Sequence, residues 1–163
     1  MQVNAFKGSF ADFGRANRFK VQISRLDGSK MQFHCKSASL PGSVIEAIAV
    51  PYMGRQIKIA GDRTFEDWSI TVMLDKTYKL RQDLYDWHEQ INATIGNNGP
   101  GSVSAYKSDA TVQALNIDGS VAGSYKFVGM FPTNVGAVEF SADSNNAISE
   151  CAVTLAYDWY EPG

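Results

Sequence analysis

Two histidines, two cysteines and a scatter of carboxylates are the residues that could hold a metal, move a proton or attack a substrate, and their spacing argues against each role. His34 and His88 fall on an expected strand and an expected helix with no second ligand at metal spacing. H-x-x-x-H, C-x-x-C and H-E-x-x-H are all absent. Cys35 and Cys151 each fall on the apolar phase of an expected strand, which favours free buried thiols over a disulfide. Glu66 and Asp67 could do acid and base work, but neighbours in an extended segment point to opposite faces and cannot share a substrate. No G-x-S-x-G elbow occurs, and GNNGPG (residues 96–101) lacks the strand and helix start of a phosphate cradle. No catalytic residue, metal or cofactor is assigned, and the chain is not read as an enzyme.

What positions these residues is a folded domain of ordinary composition, with 44% apolar and 20% charged residues. At this length roughly 70% of the unfolded surface can be buried, so residues 1–163 are expected to form one domain. No run reaches the length of a membrane span, and MQVNAFKGSFADFGR lacks the layout of a secretory signal. Use in a cytoplasm, or assembly there followed by release, is expected, without membrane insertion by this chain. The net charge of −2 hides an asymmetry: residues 1–63 carry ten Lys or Arg against four Asp or Glu, residues 64–163 five against thirteen. Separated signs steer copies together head to tail, unless the two halves interleave in space. Without a basic run, tight nucleic-acid binding is disfavoured.

RFKVQISRL alternates Phe19, Val21 and Ile23 with polar residues, Asp27-Gly28 reads as a tight turn, and KMQFHCKS resumes with Met31, Phe33 and Cys35, so a hairpin is expected. Pro41, Gly42, Pro51, Gly54 and Gly61 punctuate the next stretch too often for a long strand. It reads as a protruding apolar loop over about residues 40–63, with short extended pieces possible at IEAIAV and RQIKI. Its apolar residues, among them Ile48 and Val50, either cover the chain's own core or dock elsewhere. In AGDRTFEDWSITVMLD a charged lead-in feeds a strand through Trp68, Ile70, Val72 and Leu74. Leu80, Leu84, Trp87 and Ile91 then recur at helical spacing, predicting a helix over about 76–92, capped by Asp75 or Thr77 and followed by Gly96. Residues 96–109 read as a flexible connection. Strands are expected at ATVQALNI and SYKFVGMF around an Asp118-Gly119 turn. After a break built on Pro132 and Gly136 come AVEFSADS and ISECAVTLAYDWYE, the last with Cys151, Val153, Leu155, Tyr157 and Trp159 on one side. Seven or eight strands and one helix predict a mainly β fold: an antiparallel β-sandwich or partial barrel with one flanking α-helix.

AGDRTFEDWSITVM, LYDWHEQI, FPTNVGAVEF, SNNAI and VTLAYDWYE, together with FADFGRANRFKV and FHCKSASLPG, resemble the tail tube proteins of contractile-tailed, T4-like bacteriophages. The likeness runs nearly the full length outside residues 96–109. It implies a structural subunit of the virion tail, assembled in the host bacterial cytoplasm as stacked hexameric rings. The inner sheet would continue between subunits, lining a channel for DNA and the tape-measure protein. The implied partners are further copies of the chain, the tail sheath protein, and the baseplate and tail terminator proteins.

A ring needs one heterologous contact whose rotation closes, and stacking needs another that translates, so one chain must carry several distinct surfaces. The apolar segment with Val44, Ile45, Tyr52, Met53 and Arg55, the charged Asp62, Arg63, Glu66 and Asp67, and Phe6 and Phe10 of the N-terminal arm are the candidates for ring stacking and subunit contact. A channel that must not grip DNA calls for a neutral or acidic lining. Glu139, Ser141 and Asp143, on the polar phase of AVEFSADS, are the lumen-facing candidates. Lys79, Gln82, Asp83, Asp86 and Glu89, off the helix's apolar stripe, are the sheath-facing ones. The alternatives are a tube subunit of a genome-free contractile injection system and a carbohydrate-binding β-sandwich using Trp68, Trp87 and Trp159, although all three tryptophans lie on apolar phases.

Overall fold

The computed structural model describes residues 14–26, 31, 32 and 34–163. Phe6, Phe10 and the Asp27-Gly28 turn lie outside the described residues.

Strands β1 (Phe19–Ile23), β2 (Cys35–Ala38), β5 (Trp68–Met73), β6 (Ser108–Leu115), β7 (Val121–Val135) and β8 (Glu150–Ala156) form one antiparallel path in the order β1-β6-β7-β8-β5-β2. β9 (Trp159–Pro162) pairs with β7. The path folds into two layers because β7 changes partners midway: up to Met130 it pairs with β6 and β9, and from Phe131 with β8, the change falling next to Gly129. Gly129 has φ +68, and a Cβ there would overlap the Asp158 carboxylate, which Lys107 Nζ grips at 2.7 Å to both oxygens. Only glycine accepts that conformation without strain.

Between the layers lie Val21, Ile23, Ala110, Val112 and Phe127 from the first and Trp68, Ile70, Val72, Cys151, Val153 and Leu155 from the second. Trp68 stacks on Phe127 across the interface at 4.6 Å between centroids. Helix α1 (Lys79–Ile91) inserts Leu80, Leu84 and Trp87 into the same core, as the spacing predicts. Arg81 Nη1 reaches the core-facing Cys151 Sγ at 3.3 Å, so α1 lies on the core side of the second layer. The start of α1 uses Asp75, whose Oδ1 accepts the Lys79 N–H at 3.2 Å, while Tyr78 itself sits in the left-handed region. The helix stops at Asn92, ahead of Gly96.

Several local expectations need correcting. β1 and β2 do not form a hairpin: β1 pairs with β6 and β2 with β5, and Met31, Gln32 and His34 are helical. Leu26 and Met31 are both buried in the core. Pro132 does not break β7. It sits beside a register shift opposite Leu155, where the missing N–H interrupts no regular ladder. AVEFSADS is not a strand: residues 136–149 are irregular, with Val138 packed on the core and Phe140 left 76% exposed. Trp159 departs from the core phase because the Asp158 N–H bonds to Val128 O and hands the chain to the first layer.

The cysteines are free and buried. They occupy the two strands flanking Val72, with Cys35 and Cys151 both in register with it. Two strand spacings of about 4.8 Å hold their Cα atoms beyond the roughly 7 Å reach of a disulfide.

Candidate assembly surfaces

The segment read as an apolar loop is a long, separate two-stranded sheet: β3 (Ser43–Tyr52) and β4 (Arg55–Phe65). The punctuating residues fit it for stated reasons. Met53 and Gly54, with φ 44 and 78, make the two-residue turn with both central residues left-handed that matches strand twist. Pro51 pairs with Gln56 next to the Tyr52–Arg55 pair that closes the turn, where alternation leaves no ladder bond to lose. Gly61 lies in a bulge where Glu46 on β3 faces both Gly61 and Asp62, between the Ile45–Arg63 and Ala47–Ala60 pairs.

The pairing sorts the side chains cleanly. Ile48 with Ile59, Val50 with Ile57, and Tyr52 with Arg55 share one face; Ala47, Ala49 and Pro51 with Ala60, Lys58 and Gln56 share the other. Every residue of β3 is exposed, and Met53 at the tip is 87% exposed. Val44 and Ile45, also exposed, stand below the bulge. A two-stranded ribbon is marginal alone in water, and an uncovered row of five large apolar side chains favours association. Asp62, Arg63, Glu66 and Asp67 are exposed at its root and enter none of the ion pairs between described residues. The candidates Val44, Ile45, Tyr52, Met53, Arg55, Asp62 and Arg63 are thus gathered on one projection, with Glu66 and Asp67 at its base.

On α1 the outward residues are knit together along the helix. Lys79 bonds Asp83 at 3.1 Å, Gln82 bonds Asp86 at 2.8 Å, and Tyr85 bonds Glu89 at 2.9 Å. Bonds from the Thr94 side chain and backbone, then from Tyr85, hold the Glu89 carboxyl below the usual carboxylate range. Glu139, Ser141 and Asp143 are not on a strand face. They occupy the exposed 136–149 segment beside the start of α1, where Tyr78 meets Phe140 at 6.2 Å and Ser149 at 3.1 Å.

The second layer carries a surface that the strand phases signalled but that no site assignment used. On its solvent face Ser69 pairs with Thr154, Thr71 with Ala152, and Ser37 with Thr71, with Thr133 bonded to Thr154 O at 3.1 Å. Its charges are Lys36 and Glu150, bridged to each other. The first layer's outer face is more charged, with Lys20, Asp109, Lys126 and Glu161 on the phase opposite the buried residues. His88 Nε2 lies 3.1 Å from Pro132 O, and no group of three His, Cys, Asp or Glu among the described residues is placed to hold a metal.

A two-layer sandwich that projects an uncovered apolar ribbon is the build of a self-assembling structural subunit, and comparison with known proteins agrees. Residues 2–162 match the family model described as phage tail tube protein. The tail tube protein gp19 of Enterobacteria phage T4 is 43% identical over 152 residues, 92% of each chain. A chain of the sheath-tube complex of an extracellular contractile injection system superposes with TM-score 0.67 at 19% identity, covering 100% of this chain and 98% of the other. A chain of the anti-feeding prophage tube-terminating cap gives 0.69 at 22%, covering 100% and 99%. This chain belongs to the phage tail tube protein family and is a structural component of a contractile bacteriophage tail.

Proposed function

We propose that the chain builds a hollow tube of stacked hexameric rings in which the β3–β4 ribbon of each subunit docks on neighbouring copies. The observation that carries this is the ribbon's apolar face: Ile48, Val50, Tyr52, Ile57 and Ile59 project from one side of a ribbon that none of the buried core residues belongs to. Burying an isoleucine contributes about 1.5–3 kcal/mol, so one docked ribbon supplies most of a stable contact. Phe6 and Phe10 belong to the same proposed contact.

The second layer separates two opposite surfaces. Helix α1, on its core side, is the sheath-facing surface through Lys79, Gln82, Asp83, Asp86 and Glu89. In this reading the Ser and Thr face on the other side lines the channel; Glu139, Ser141 and Asp143, the lumen-facing expectation, sit in the 136–149 segment beside the start of α1. Short hydroxyl side chains with no unpaired lysine let DNA and a tape-measure protein slide past without the counterion release that holds DNA to basic surfaces. β2 and β5, which flank the ribbon in sequence, belong to this layer, so the lining sheet is the one extended toward neighbours. Baseplate and terminator proteins would meet the tube's two ends. The role is architectural, without turnover.

A genome-free injection tube shares the fold, but the 43% identity is to a phage protein, which favours the phage reading. The carbohydrate alternative is left with Trp159, since Trp68 and Trp87 are buried. The test is Ile57→Ser with Ile59→Ser. Both sites are exposed, so the subunit should keep its native tryptophan fluorescence yet form no tubes by electron microscopy. Tubes of normal length would remove the ribbon from assembly.

A further inference from the structure

The ribbon's pairing and burial leave open what sets its angle on the sandwich, since of all its residues only Gly61 and Phe65 are half-buried and the rest are exposed. Gly61 is covered by the ribbon's own Ile48 and Glu46. Phe65 is different: its ring meets Tyr160 edge-on at 5.4 Å and Tyr157 at 6.1 Å. Those two rings continue into the core, Tyr157 against Phe127 at 4.8 Å and Phe127 stacked on Trp68. The ladder then returns to the ribbon's other limb, because Trp68 Nε1 donates to Ser39 O at 2.7 Å, just past the end of β2. Both limbs of the projection are therefore tied to one aromatic stack. Aromatic pairs of this geometry contribute roughly 0.5–1.5 kcal/mol each beyond area burial, enough to favour one orientation over a swinging ribbon.

We propose that Phe65 is the positioning residue that locks the ribbon's direction in the free subunit, so that its apolar face is aimed before a second copy arrives. This rests on the ribbon being the assembly element. Orientation fixed in advance lowers the ordering cost at docking. Tyr157 takes part as the second wall of the Phe65 seat, its hydroxyl buried without a hydrogen-bond partner among the described residues. Burial, then Tyr160, Asp67 and Glu66, raise its pKa.

The experiment places spin labels at Met53→Cys on the tip and Ile117→Cys on the body, both exposed, in the full chain kept unassembled, and reads the distance distribution. The parent should give a narrow distribution, Phe65→Ala one roughly two-fold or more broader at unchanged tryptophan fluorescence, and Phe65→Tyr the parental width. A Phe65→Ala distribution as narrow as the parent's overturns the proposal. Should Phe65→Ala lose the native fluorescence, Tyr160→Ala is read in its place, with the same expectation and the same overturning result. Failure of the assembly reading looks different: Ile57→Ser with Ile59→Ser would form tubes while the Phe65 distances still broadened.

Discussion

The backbone of Gly61 passes the Glu46 carbonyl so closely that a Cβ on residue 61 would stand 2.8 Å from that oxygen. Real Cβ atoms do not approach so near, so the bulge in the β3–β4 ribbon depends on glycine at this position. Gly61→Val should open the bulge and redirect the ribbon beyond it, while the sandwich, which shares no pairing with it, keeps its melting temperature. Tube yield by electron microscopy should fall with thermal stability unchanged. A large drop in melting temperature would show that the ribbon also stabilises the core.

At the corner of β7, Gly129→Ala meets both a left-handed backbone and the Asp158 carboxylate. The strained conformation costs about 1–3 kcal/mol, and pushing Asp158 away disturbs its bond to Lys107. Urea unfolding should show a loss in that range. Lys107→Met should cost less, about 1 kcal/mol or under, because the pair is partly solvated.

Burial pushes the Cys35 thiol up to about 11. The native protein holds the thiol neutral where an unfolded chain, near 8.5, has released its proton, so stability is fully present below about pH 8.5 and is lost as pH rises toward 11. Unfolding free energy measured at pH 8 and pH 10.5 should fall across that window, and Cys35→Ala should flatten the fall. Alkylation at pH 8 should reach Cys35 only after denaturation.

A lysine placed at Ser69 would stand in every subunit on the proposed channel lining. Tubes should form normally, while DNA passage at low salt slows and recovers as salt rises, since phosphate contacts weaken with ionic strength. Passage at the parental rate at every salt concentration would move the lining to another surface.

Periodicity was enough to locate most elements. Leu80, Leu84 and Trp87 face the core as their spacing demands, and Trp68, Ile70 and Val72 bury alternate positions of β5. The errors cluster where a residue's meaning depends on a partner far along the chain. Pro51, Pro132 and Gly61 look like breaks in isolation, yet each sits where a ladder bond is already missing or a bulge is required. AVEFSADS alternates like a strand but pairs with no strand among the described residues, and its backbone is irregular.

The residues alone determined that this chain has a β-rich core with one amphipathic helix and an apolar stretch in excess of what a loop needs, because those follow from local composition and period. Tertiary structure decided that the stretch is a ribbon with two unlike faces, and that Phe65 ties it to Tyr157 and Tyr160 across the fold. It also put Glu139 beside the helix, and left the Ser and Thr row of the second layer facing outward. Those outcomes turn on which strand pairs with which, and pairing energy is earned between residues that the linear order keeps apart.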